Sequence, residues 1–378
     1  SLLSFPSGYD AIAYHIDVAQ KWLQNGTTHI DTTWGWKYSL PGNAELPALF
    51  ALAIGIPNAV AVGNLFAVVL LAGSVYLIAW YLTSGSVPSM LASLAAVTIP
   101  MVIYQSFQLY VDMFGTAFLV AAAALLLAGG TSSGTFHFLA GCSLGVATGT
   151  KPVFWVYCAL FVAIAFSALL KTRRRPTRII ALFVLGVLLS SGMWFFRALW
   201  ETGNPIFPMA VSIGDVEVLP GYKKEDITPI SYGLESFIEA LGQPWTEVAE
   251  DDGFPVGNDR GTGMLFASVV LPGVLFSLVR VITRRSGNAE MFLLISVLVG
   301  FCLWSIVLLR VPRFLLPVLV ISCAIAAPML HMAMSKRNRL IVAVYAVGIT
   351  FNALVVSVEP VHRTLARIRL GDFSRASY

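Results

Sequence analysis

The sequence predicts an all-α protein that crosses a membrane many times, and three observations carry that reading. Of 378 residues, 57% are apolar and 12% are charged, against about 25% charged in an ordinary soluble domain. Mean hydropathy is +0.79 over 40.8 kDa, more apolar surface than a water-soluble core of this size absorbs. The apolar residues also fall in runs long enough to cross about 30 Å of hydrocarbon at about 1.5 Å per helical residue. Together these exclude a soluble globular enzyme, and a net charge of +4 gives no support to nucleic-acid binding. Cys142, Cys158, Cys302 and Cys323 sit in apolar stretches without CxxC or Cys/His spacing. They read as small core residues, not as disulfides or zinc ligands.

In chain order, residues 1–57 read as an external loop that holds two helices. Gly8 to Leu23 is amphipathic, with Asp10, Tyr14 and Asp17 on one face at i, i+4 and i+7. Leu46 to Ile56 is apolar but stops at Pro57, too short to cross alone, so it dips into the membrane beside the first span. Residues 58–199 form a block of six spans, near 58–82, 86–104, 112–128, 133–149, 152–170 and 178–199. An acidic external loop, 200–262, separates them from four more at 263–282, 290–310, 314–334 and 338–358. The tail 359–378 returns outside, which makes ten spans in all. With residues 1–45 already outside, a helix before Ser1 and an external portion beyond Tyr378 are expected.

Orientation follows from the basic loops, because short cytoplasmic loops carry the Lys/Arg excess. Three qualify: Lys171 to Arg178, Arg280 to Arg285, and Lys336 to Arg339. An even number of spans separates each from the next, so all three fall on one face. The acidic loop and the first 45 residues fall on the other.

Charged residues at the outer ends of spans are the candidates for chemistry. Asp10 opens the amphipathic helix, and Asp112 opens the span 112–128 after Gln105, Gln108 and Tyr110. An acid at a helix start often only caps it or meets its dipole, but two outer carboxylates also suit acid–base work. Gln108 and its neighbours suit a sugar-binding wall. Lys151, Arg197, Arg310 and Arg313 break the positive-inside bias. Snorkelling to headgroups is the commoner reason for one such residue, yet together they suit a lipid phosphate, which a guanidinium holds bidentately and a lysine as a point charge. His15 beside Tyr14 is a candidate ligand or base, whereas His137 and His331 read as structural. Gly203 to Pro208, with Asn204, reads as a rigid turn. No P-loop, dinucleotide fingerprint or His-Glu-x-x-His is present. The one cofactor candidate is a divalent metal, for which Asp10, Asp17 and Asp112 offer oxygen ligands.

Six short motifs occur in order: Asp10-x-x-x-Tyr14-His15 with Trp22-Leu23; Pro41-Gly42-Asn43-Ala44-Glu45-Leu46; Asp112; Gly149-Thr150-Lys151; Arg197 with Thr202-Gly203-Asn204-Pro205-x-Phe207-Pro208; and Arg313-Phe314-Leu315-Leu316-Pro317. As a set they resemble the prokaryotic membrane glycosyltransferases of the C-type fold (GT-C), relatives of protein O-mannosyltransferases and lipid A aminoarabinose transferases. The resemblance implies a GT-C-like bundle, a polyprenyl-phosphate-linked sugar as donor, chemistry at the extracytoplasmic face of a cytoplasmic membrane, and inversion at the anomeric carbon. It implies that Asp10 takes the acceptor hydroxyl proton and that Asp112 is a second catalytic carboxylate. Lys151, Arg310 and Arg313 then bind the donor phosphate, and Tyr14, His15, Glu45, Gln108, Arg197 and Asn204 are candidates for substrate contact. Membrane lipids and partners in a membrane complex are expected, and the acceptor is unassigned. Two other readings compete. A non-catalytic scaffold subunit keeps such a fold without chemistry, and a transporter of lipid-linked sugars requires repeats, broken helices and mid-membrane charges.

Overall fold

The computed structural model describes residue 6 and residues 10–130, 133–170, 176–214, 216–222, 264–306 and 311–369. It is an all-α integral membrane protein with one small hairpin. A π-helical turn, Ala11–His15, runs into α1 (Ile16–Asn25), which ends at Gly26 in the left-handed conformation that a side chain disfavours (φ 65°). The dipping helix is α2 (Leu46–Ala53). The first block continues as α3 (Val62–Thr83), α4 (Ser86–Val97), α5 (Pro100–Ser106), α6 (Val111–Gly129), α7 (Gly134–Thr148), α8 (Val153–Leu170) and α9 (Pro176–Thr202). After β1 (Val211–Ile213) and β2 (Val216–Leu219) come a π-turn with α10 (Leu271–Ile282), α11 (Asn288–Ile306), α12 (Leu316–Ile325), α13 (Ala327–Ser335) and α14 (Arg339–Arg369).

Within the described residues every expected apolar run therefore coincides largely with helix, with 263 and 307–310 outside them, but the count of ten spans is not reproduced. Among the described residues five helices are long and apolar enough to cross a membrane, or six if α4 and α5 form one span bent by 66°. The bend lies at Ile99-Pro100, because a residue before proline is pushed out of the helical region. α7 has only 15 residues, about 22 Å of helix.

The core centres on α6 and the α12–α13 span, which are mostly buried, while α3 and α9 turn much of their surface outward. Phe66, Val69, Leu188 and Leu189 are exposed on that outer surface, as lipid-facing residues are. Small residues set the closest approaches. A Cβ on Gly141 would lie 2.1 Å from the Phe183 carbonyl oxygen, and one on Gly186 would lie 2.4 Å from that of Phe138, so α7 and α9 touch backbone to backbone. Of the cysteines, Cys158 and Cys323 are buried as expected, whereas Cys142 is half-buried and Cys302 is exposed on its span. The acidic part of the loop 200–262 lies outside the described residues; its start folds into the hairpin β1–β2.

Candidate active site

Four charged residues from distant parts of the chain meet at the end of the bundle where α6 begins. Arg313 stands between the two carboxylates, 2.7 Å from Asp10 Oδ2 through Nη2 and 3.3 Å from Asp112 Oδ2 through Nε. Lys151 Nζ donates to the other oxygen of Asp112 at 2.9 Å. Tyr14 donates its hydroxyl to Asp10 at 3.3 Å. Asp10, Tyr14, Asp112 and Lys151 are all buried. Burial, and then the nearby Asp10 and Asp112 carboxylates, push the Tyr14 phenol well above its ordinary pKa, so it stays a donor.

Neither carboxylate is a helix cap. Asp10 makes no capping bond at the start of its turn. At α6 the cap comes from Gln105, whose Oε1 accepts from the Met113 N–H at 2.7 Å, which leaves Asp112 to the cations.

The backbone that carries Asp112 and Arg313 is clamped. Asn64 on α3 donates to the carbonyls of Gln105, Gln108 and Tyr110 and so fixes the segment that launches α6. Tyr157 on α8 donates to the Phe314 carbonyl at 2.6 Å, and Trp304 on α11 donates to Val311 at 2.8 Å; both hold the 3₁₀ turn Pro312–Leu315 that carries Arg313. Lys151 lies in the α7–α8 turn. A Cβ on Gly115 would sit 2.2 Å from the Phe154 ring, so a glycine lets α8 approach α6 one turn below the Asp112–Lys151 bond.

Two hollows adjoin the cluster. One is a small cleft lined by Tyr14, His15, Trp22, Lys37, Glu45 and Lys151, among others. The other is an apolar groove of about 650 Å³ between α2, α3 and α6, lined by residues such as Phe50, Ile54, Phe66, Leu70, Phe114 and Phe118. Its wall on α6 begins two residues after Asp112, and its wall on α2 begins two residues after Glu45.

No family model and no curated protein matches the sequence. Solved structures do. The crystal structure of ArnT from Cupriavidus metallidurans in the apo state is similar at a TM-score of 0.55 and 15% identity, over 85% of this chain and 55% of that one. ArnT from the same organism bound to undecaprenyl phosphate is similar at 0.57 and 15% identity, over 97% of this chain and 69% of that one. This is the fold of ArnT. ArnT is a lipid A aminoarabinose transferase of the GT-C fold, so the resemblance drawn from the ordered motifs is borne out for the architecture. This chain spans about half to two thirds of ArnT's length.

Within this ArnT-like bundle the remaining candidates separate. His15 Nδ1 meets Glu45 Oε1 at 2.5 Å, and both residues line the small cleft. Arg310 lies outside the described residues. Arg197 lines neither of the two hollows. Its guanidinium donates to the carbonyls of Thr28, Ser39 and Leu40, so it ties the external loop to α9, because three convergent carbonyls use most of its planar fork. Asn204 likewise serves its own turn, donating to Met209 and Pro220 while accepting from the Ile206 N–H. Gln108 is half-buried in the segment that Asn64 holds. Asp17 leaves the Asp10–Tyr14 face and bonds Tyr38 and Lys21 instead. Among the described residues no group of three His, Cys, Asp or Glu side chains could hold a metal ion.

Asn43 is the residue whose importance sequence reasoning missed. Its N–H donates to the Gly149 carbonyl, its amide to Val146 and Ser190, and its Oδ1 accepts from Trp194. It therefore clamps the loop ahead of Glu45 onto the turn that bears Lys151. The signal was its place between Gly42 and Glu45 in an otherwise apolar approach to α2.

Proposed function

We propose that this chain is a membrane glycosyltransferase that moves a sugar from a polyprenyl-phosphate donor to a hydroxyl-bearing acceptor, at the extracytoplasmic face and with inversion. The observation that carries the reading is the paired-charge cluster two residues from the α6 wall of an apolar groove. A polyprenyl chain suits the groove, and a phosphate at its head reaches the cations. ArnT, with the same fold, has been crystallised with undecaprenyl phosphate.

In the proposed reaction the acceptor oxygen attacks the anomeric carbon and its proton passes to the Asp10 carboxylate. The bond from that carbon to the phosphate oxygen breaks, and its electron pair stays on the phosphate. Lys151 and Arg313 stabilise the charge that develops there. Lys151 has three N–H donors and Asp112 takes one of them, so it can hold a phosphate oxygen without leaving Asp112. Asp112 then acts by aiming both cations. The Arg313 guanidinium, between the two carboxylates, holds Asp10 in place.

A scaffold subunit is the second reading, favoured by the fact that Lys151 and Arg313 each already contact a carboxylate. Mass spectrometry of lipids that co-purify with the chain decides between them. The transferase reading expects a polyprenyl phosphate or its glycosylated form, depleted in an Arg313→Ala variant. Bulk phospholipid alone, even after undecaprenyl phosphate is added, overturns it.

A further inference from the structure

The reaction above makes no use of two buried polar atoms beside it. His15 and Glu45 are 2% and 5% exposed, and they pair through His15 Nδ1 and Glu45 Oε1. A carboxylate only accepts, so His15 Nδ1 is the donor in that pair. His15 Nε2 and Glu45 Oε2 both lack a hydrogen-bond partner among the described residues. Glu45 stands at the N-cap of α2 but makes no capping bond, so helix capping does not account for it.

We infer that His15 and Glu45 form a subsite that reads hydroxyl groups of the transferred sugar. The inference rests on the transferase reading and deepens it. The Glu45 oxygen asks for an O–H donor and the ring nitrogen beside it for a group that can donate or accept, which a vicinal diol of a sugar ring supplies and an ionised phosphate, with no proton to give Glu45, does not. The cleft that both residues line also holds Lys37, whose ammonium lies 4.8 Å over the Tyr14 ring, and reaches Lys151. A sugar whose phosphate sits on Lys151 therefore has its hydroxyls toward His15 and Glu45. The cleft has room for only about 10 Å³, so it takes a hydroxyl from the edge of the ring and favours selection by hydroxyl position. Its far wall is Trp22, packed so tightly on Gly42 that a Cβ there would come within 2.2 Å of the indole.

The test uses the full chain in lipid nanodiscs with undecaprenyl phosphate, and with the same lipid carrying glucose, mannose or galactose. The wild type is expected to bind at least one sugar-bearing lipid more tightly than the bare one. His15→Phe and Glu45→Gln should each weaken that sugar-bearing lipid about tenfold, the worth of a hydrogen bond to a charged or charge-oriented group, and leave bare undecaprenyl phosphate unchanged. Thermal unfolding reports whether each variant folds, and the nearly isosteric Glu45→Gln carries the test if His15→Phe does not. Variants that keep the full sugar preference, or that lose both lipids equally, overturn this inference alone, as does a wild type without sugar preference. A wild type that binds neither lipid overturns the transferase reading and this one with it.

Discussion

Two buried ion-pair sites lie at opposite ends of the bundle, and they differ in what the chain had to do to build them. At one end Arg280 grips Glu290 at 3.0 and 3.1 Å through Nε, and Glu290 is 3% exposed in the first turn of α11. The partners belong to consecutive helices joined by a short turn, the acid sits at a helix N-terminus where the dipole favours it, and neither partner lines the groove or the cleft. At the other end Asp10, Asp112, Lys151 and Arg313 come from four distant stretches, the last three each clamped by a separate set of hydrogen bonds, and a groove and a cleft open beside them. Burial of charge is common to both. Convergence from distant segments onto an opening belongs to one, and it marks the difference between a staple and a site.

The sharpest way to break this contrast is to neutralise one acid at the convergent end. Asp10→Asn is nearly isosteric and keeps an acceptor for Tyr14, so the protein should fold while transfer falls about 10²- to 10⁴-fold, the usual worth of a positioned base. Turnover with whichever undecaprenyl-phosphate sugar the wild type uses measures this. Normal turnover in Asp10→Asn removes the base from Asp10. The staple should respond the other way round. Arg280→Ala strands a buried carboxylate and should cost about 3 kcal/mol of stability, read as a lower unfolding temperature, with undecaprenyl-phosphate binding unaltered. Loss of lipid binding in Arg280→Ala would mean that the two ends do not act independently.

The same contrast explains what the sequence could and could not reveal. The apolar runs predict where helices lie, because desolvation of the backbone leaves helix as the only answer within a membrane, and α3, α6 and α9 follow. Their lengths are less legible, since Pro100 bends one run and the short α7 is completed by its packing on α9. Asp10, Asp112, Lys151 and Arg313 were singled out because a charge at the edge of an apolar span is costly and needs a reason. The reason itself is not in the pattern. Arg197 satisfies the same description as Arg313, yet three carbonyls of the 28–40 loop take its guanidinium. Only three-dimensional contact separates an anchor from a binding group. Asn43 escaped notice because its four hydrogen bonds are long-range, and no local spacing announces them.

A smaller effect tests whether the convergent site depends on tight packing beneath it. Gly115→Ala pushes a methyl into the Phe154 ring at a built separation of 2.2 Å, and Phe154 is 1% exposed, so the ring has nowhere to turn. Overpacking of this kind costs about 1–3 kcal/mol. Because Phe154 and Lys151 share one turn of chain, binding of undecaprenyl phosphate should weaken along with the unfolding temperature. A drop in stability with unchanged lipid affinity would show that the Asp112–Lys151 spacing tolerates a shift of α8.

The smallest effect expected lies outside both ion-pair sites, at Asp17, whose carboxylate bonds Tyr38 at 2.5 Å and Lys21 at 2.9 Å. Partial burial alone would raise its pKa, but the Tyr38 hydroxyl and the Lys21 ammonium together hold it below the ordinary value. A carboxyl whose pKa is lower in the folded state stabilises the fold above its unfolded pKa of about 3.9, and the contribution is lost as pH falls through the depressed folded value. The pair is half-exposed, so its worth is that of a surface contact, about 0.2–1 kcal/mol. Asp17→Asn should therefore narrow the stability difference between pH 6 and pH 3 by no more than that amount, with transfer at neutral pH intact. A large loss of transfer in Asp17→Asn would extend the catalytic face along α1, past Tyr14, to the residue that the i, i+4, i+7 spacing first grouped with Asp10.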